Sequence, residues 1–109
     1  MKVGYLIVLL CTIFFTVVNA NDNKVDCIIL EDENSIICKY SHERIDTEQN
    51  ITVTWIEPDG TVTRQRDMIV PAFHGSVYDY RYIHGRTPGE WTFKVKHNED
   101  EYTTSFIIK

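Results

Sequence analysis

The chain has 109 residues, 43% of them hydrophobic, and its 16 acidic against 11 basic side chains give a formal net charge of −5. This length allows one small domain with a modest core and excludes a multidomain machine. The acidic balance excludes the broad basic face that a nucleic-acid binder uses to displace counterions from phosphate, and it argues against adhesion to an anionic membrane.

Residues 1–20 read as a cleaved secretory signal peptide: Met1-Lys2 is a short positive start, residues 3–18 are apolar apart from Gly4 and two threonines, and Ala20 supplies the small residue at the cut. The apolar run is shorter than the about 20 residues needed to span a bilayer. Cys11 follows Leu10, whereas a lipoprotein signal places a small residue before its lipid-bearing cysteine. Residues 21–109 are therefore expected to be an exported soluble domain, secreted or periplasmic, with no membrane insertion after cleavage. Cys27 and Cys38 remain, and an oxidising compartment makes a disulfide their expected state.

Residues 24–31 and 35–41 are apolar and β-branched runs separated by Glu31-Asp32-Glu33-Asn34, the pattern of a β-hairpin. A turn centred between Asp32 and Glu33 sets Cys27 directly opposite Cys38, within disulfide reach. Ile51, Val53 and Trp55 then alternate with Thr52 and Thr54 as a half-buried strand, and Glu57-Pro58-Asp59-Gly60 closes it with strong turn chemistry. Residues 61–65 resume a strand with a solvated face. Residues 68–73 are continuously apolar, yet Pro71 cannot donate to a central ladder, so the piece belongs at an edge or in a crossing between sheets.

Tyr78, Tyr80 and Tyr82 alternate with Val77, Asp79, Arg81 and Ile83. Burying Asp and Arg together requires strong pairing, which favours tyrosines inward and Asp79 and Arg81 in water. The opposite register would expose an aromatic ladder suited to stacking sugars or gripping a peptide. After the turn at residues 85–89, Trp91, Phe93 and Val95 alternate with Thr92, Lys94 and Lys96, and Tyr102, Thr104, Phe106 and Ile108 share one face of the last strand.

About seven antiparallel strands with regular turn signals predict an all-β chain folded as a single two-sheet sandwich. In Val53-Thr54-Trp55 the chain resembles the core-tryptophan strand of the immunoglobulin-like and fibronectin-type-III-like sandwich domains. Its Pro88-Gly89-Glu90-Trp91-Thr92-Phe93-Lys94-Val95 is similar to the opening of a late strand in many bacterial modules of that group. The resemblance implies a small immunoglobulin-like sandwich over residues 21–109. It departs from antibody domains in that the two cysteines lie in the first two strands and do not join the sheets.

No catalytic motif emerges: there is no Gly-x-Ser-x-Gly, no paired carboxylate scaffold and no phosphate-cradling glycine loop. No cofactor is expected. His42, His74, His84 and His97 fall in predicted loops or strand ends without ligand spacing, so they read as solvated and no metal site is expected. Asn50-Ile51-Thr52 fits a glycosylation sequon. The reading is a non-enzymatic binding or accessory module with a protein or glycan partner, whose candidate contact residues are Met68, Ile69, Phe73, Tyr78, Tyr80 and Tyr82. Its alternatives are a small enzyme or metal carrier built near His74 and His84, and a structural component of an envelope assembly.

Overall fold

A computed structural model describes residues 23–109; the signal peptide expected at residues 1–20 lies outside them. Seven strands follow in order: β1 (Lys24–Leu30), β2 (Ser35–Ser41), β3 (Gln49–Ile56), β4 (Val62–Val70), β5 (Ser76–Tyr82), β6 (Gly89–His97) and β7 (Asp100–Ile108). They form two antiparallel sheets, one of three strands in the order β1-β2-β5 and one of four in the order β4-β3-β6-β7. The all-β expectation holds, with a single 3-10 turn among the described residues, at Glu31–Glu33.

That turn makes the first hairpin. Asn34 closes it in the left-handed region at φ 55, where its short polar side chain is better tolerated than most, and its amide returns to the Glu31 carbonyl at 3.1 Å. The register that results sets Cys27 opposite Cys38, and the two are disulfide-bonded with their Cα atoms 4.1 Å apart.

The core lies between the sheets. Trp55, Val53 and Ile51 of β3 and Trp91, Phe93 and Val95 of β6 face Ile36, Cys38 and Tyr40 of β2, all essentially shielded from water. Trp55 meets Phe93 and Phe106 edge to face, and Trp91 stacks on Phe106 at 6.1 Å, the geometries that aromatic quadrupoles favour.

The resemblance-bearing Pro88-Gly89 step now has a physical cause. Gly89 sits at φ 129 and a Cβ there would lie 2.8 Å from Pro58 Cγ. Only glycine lets the β5–β6 turn press against the β3–β4 turn. Thr87 Oγ1 donates to Glu57 Oε1 across the same junction, and the Trp91 indole donates to the Thr87 carbonyl at 2.7 Å.

One strand is longer than expected, while the edge placement expected for residues 68–70 holds. β4 is continuous from Val62 to Val70 and is the edge of the four-stranded sheet, so the apolar residues 68–70 are its end, and Pro71 terminates it. Its inward positions include Arg64 and Arg66, opposite Trp55 and Val53. Apolar alternation is absent there because these side chains reach across the sandwich.

Candidate functional site

The register of β5 is the reverse of the one favoured by burial costs alone. Asp79 is 5% exposed, whereas Tyr78, Tyr80 and Tyr82 are 57%, 57% and 56% exposed. Non-local partners make this register affordable. Asp79 accepts from the Trp55 indole (2.8 Å, at Oδ2) and from Arg64 Nη1 and Arg66 Nη1 (each 3.2 Å, at Oδ1). One buried carboxylate thus binds the central tryptophan and the edge of the opposite sheet. The Arg81 guanidinium lies over the Trp55 ring at 5.4 Å, and its Nη1 donates to Thr63 Oγ1.

The outward tyrosines extend rows running across the three-stranded sheet. Asp26, Lys39 and Tyr78 form one row, Ile28, Ile37 and Tyr80 the next, and Leu30, Ser35 and Tyr82 the third. Ile28 is 54% exposed, and Tyr80 and Tyr82 meet edge to face at 6.1 Å. The result is a firm, largely apolar and aromatic face on rigid strands. A shallow concavity on it is lined by Asp26, Ile28, Ile37, Lys39 and Tyr78 together with Cys27.

The other three candidate residues do not join this face. Met68 turns inward and packs on the core. Ile69, 53% exposed, points from the outer face of the opposite sheet, beside Asn50 of the sequon, which is itself exposed. Phe73 is 68% exposed and sits at φ 67, a strained conformation for a bulky residue, with its amide held by the Ile45 carbonyl at 2.7 Å. Phe73 and the exposed Ile45 form a separate small patch at one end of the sandwich.

The histidines divide. His74 and His84 are exposed at opposite ends of β5, too far apart to share an ion. Among the described residues no three His, Cys, Asp or Glu side chains come together as a metal site. His42 and His97 are not the solvated loop residues expected. His42 continues the inward alternation of β2 and is buried, and it stacks on Tyr40 while His97 meets both rings edge-on. The hydrogen bonds define the tautomer. Gln49 Oε1 only accepts, so His97 Nε2 carries the proton it donates there (2.9 Å), and Nδ1 accepts from the Tyr40 hydroxyl (2.8 Å). Asn23 donates to the same hydroxyl.

This cluster is expected to make stability pH-dependent. Burial, and then the charge of His42, push His97 below its ordinary value, against a smaller opposing pull from Asp100. A lowered histidine contributes its stability in full above the free value of about 6.5, and loses it as pH falls toward the folded value, because the unfolded chain then takes up the proton more readily. The urea midpoint is expected to drop between pH 7 and 5, and less so in His97→Gln; identical declines in the two proteins would refute the assignment. At the other extreme, burial and then Tyr102 raise Tyr40 to about 12. Stability is therefore also expected to fall above about pH 10, where the unfolded chain ionises that phenol first.

No protein-family model matches the sequence, and no curated protein matches it.

Proposed function

We propose that the chain is an exported, non-enzymatic binding module of immunoglobulin-like or fibronectin-type-III-like type, which holds its partner on the outer face of the β1-β2-β5 sheet. Export is supported by the leader-like residues 1–20 and the Cys27–Cys38 disulfide. No helix among the described residues is long and apolar enough to cross a membrane. The three-plus-four strand order supports the sandwich type.

The observation that carries the function is the outward register of Tyr78, Tyr80 and Tyr82. A fold needing those rings for its core would bury them, and this one buries Asp79 instead. Rigid tyrosines offer large contact area at little entropic penalty, with a polar tip to orient the partner.

The test uses the protein as bait in culture medium and envelope extract, beside the triple variant Tyr78→Ser/Tyr80→Ser/Tyr82→Ser. Because all three rings project into solvent, the variant is expected to keep its β-sheet circular dichroism while losing the specific partner. Retention of every partner by a folded triple variant would remove the tyrosine face from the function. Absence of any partner would instead favour a structural or self-associating role.

A further inference from the structure

The open side of the sandwich between β4 and β5 collects positive charge on an acidic protein. Arg64, Arg66, Arg81 and Arg86 line one recess with Asp79, Tyr80 and Tyr82. Its carboxylate is already engaged by Trp55, Arg64 and Arg66. Among the described residues neither Arg81 nor Arg86 has an acidic side chain within ion-pair distance, and Arg81 Nε is buried without a hydrogen-bond acceptor. Burial, followed by the charges of Arg86 and Arg64, depresses the Arg81 guanidinium below its ordinary value, with Asp79 and Glu57 opposing. It nonetheless stays charged. Four cations around one carboxylate leave an excess that an external anion would neutralise.

We propose that this recess is an anion site that seats the carboxylate or sulfate of an acidic glycan, with the sugar ring against Tyr80 or Tyr82. Planar guanidinium forks match the two oxygens of a carboxylate or the face of a sulfate. The neighbouring rings stand more than half exposed at its rim. A peptide adding itself as a further strand fits less well. On β5, the edge of its sheet, Arg64 Nη1 already donates to the Tyr80 carbonyl (3.3 Å) and Arg86 Nε to the Tyr82 carbonyl (3.1 Å). Acceptors that strand addition would need are thereby occupied. The proposal rests on the reading of the tyrosine face as a binding surface and adds the chemistry of its partner.

The experiment is a calorimetric titration of the protein with an oligogalacturonate hexasaccharide and a heparin-derived hexasaccharide, with maltohexaose as the neutral control and oligoglutamate as the peptide control. At least one acidic hexasaccharide is expected to bind at least tenfold more tightly than maltohexaose, and to weaken at least tenfold in Arg86→Gln and in Arg81→Gln. Arg44→Gln, at an exposed position remote from the recess, is expected to leave binding unchanged. Should Arg81→Gln fail to fold, Arg86→Gln at the rim carries the test. Binding of the heparin hexasaccharide alone assigns the site to sulfate, whereas binding of the oligogalacturonate shows that a carboxylate suffices. The proposal is overturned if neither acidic hexasaccharide binds at millimolar concentration, if Arg86→Gln binds like the wild type, or if oligoglutamate binds as tightly as the sugars. A partner that is lost in the triple tyrosine variant but unaffected in Arg86→Gln would overturn the anion site alone and leave the binding module standing.

Discussion

Replacing Asp79 by alanine is expected to destabilise the domain by about 3–5 kcal/mol, the range seen when one member of a buried ion pair is removed. The Trp55 indole, which is wholly buried, and the Arg66 guanidinium lose their acceptor at once, while Arg64 keeps its 3.3 Å bond to the Tyr80 carbonyl. The indole decides the magnitude. The arginines are 35% and 49% exposed and recover part of their hydration, whereas Trp55 is wholly buried and an unpaired indole N–H there costs about 1–3 kcal/mol. At about 0.05–0.15 kcal/mol per residue, a domain of this size has only about 4–13 kcal/mol to lose.

Urea unfolding with linear extrapolation measures the effect, and graded variants apportion it. Asp79→Asn keeps an oxygen for Trp55 but removes the charge, so its loss should fall between wild type and Asp79→Ala. Arg64→Ala and Arg66→Ala each leave two donors on Asp79 and are expected to lose about 1 kcal/mol or less, as half-exposed pairs do. In a double-mutant cycle, Trp55→Phe and Asp79→Ala should couple by about 1–2 kcal/mol. An Asp79→Ala loss below about 1 kcal/mol would show that the carboxylate does not bolt the sheets together.

The same residues explain what could be read in advance. The first hairpin was legible because one local turn determines both its register and the disulfide. The β3 and β6 strands were legible because Ile51, Val53 and Trp55, and Trp91, Phe93 and Val95, keep strict period-two alternation over a shared core. The orientation of β5 was not, because it depends on Arg64, Arg66 and Trp55, which lie 13 to 24 residues away. Judged alone, a buried Asp beside an inward Arg is expensive; with those partners it becomes the inter-sheet contact. The arginine recess was hidden for a related reason. Net charge averages over the chain, whereas β4, β5 and the turn after β5 gather four cations in one place. His42 did leave a signal, since the inward series Ile36, Cys38, Tyr40 extends to it by one further step of two.

Removing the disulfide through Cys27→Ser/Cys38→Ser is the second large perturbation, with an expected loss of about 3 kcal/mol from the entropy of the closed loop, whose ends are 11 residues apart in sequence. For a domain of this size that corresponds to a melting temperature lower by about 12–24 °C. The loss should be local before it is global. Among the described residues β1 is an edge strand paired only with β2, with further packing against β7 and β6, so the disulfide ties it across that ladder. Hydrogen exchange in the variant should therefore accelerate first at β1, while β3 and β6, in the middle of the four-stranded sheet, stay protected up to global unfolding. The tyrosine face offers an independent readout. Its rows begin on β1 at Asp26, Ile28 and Leu30 and end on β5 at the tyrosines. A frayed β1 should weaken a partner that spans the rows, yet leave binding at the Arg86 end of β5 nearly intact. A variant that melts within about 4 °C of the wild type would mean that the β1–β2 pairing holds without its covalent link and that the hairpin turn alone sets the register.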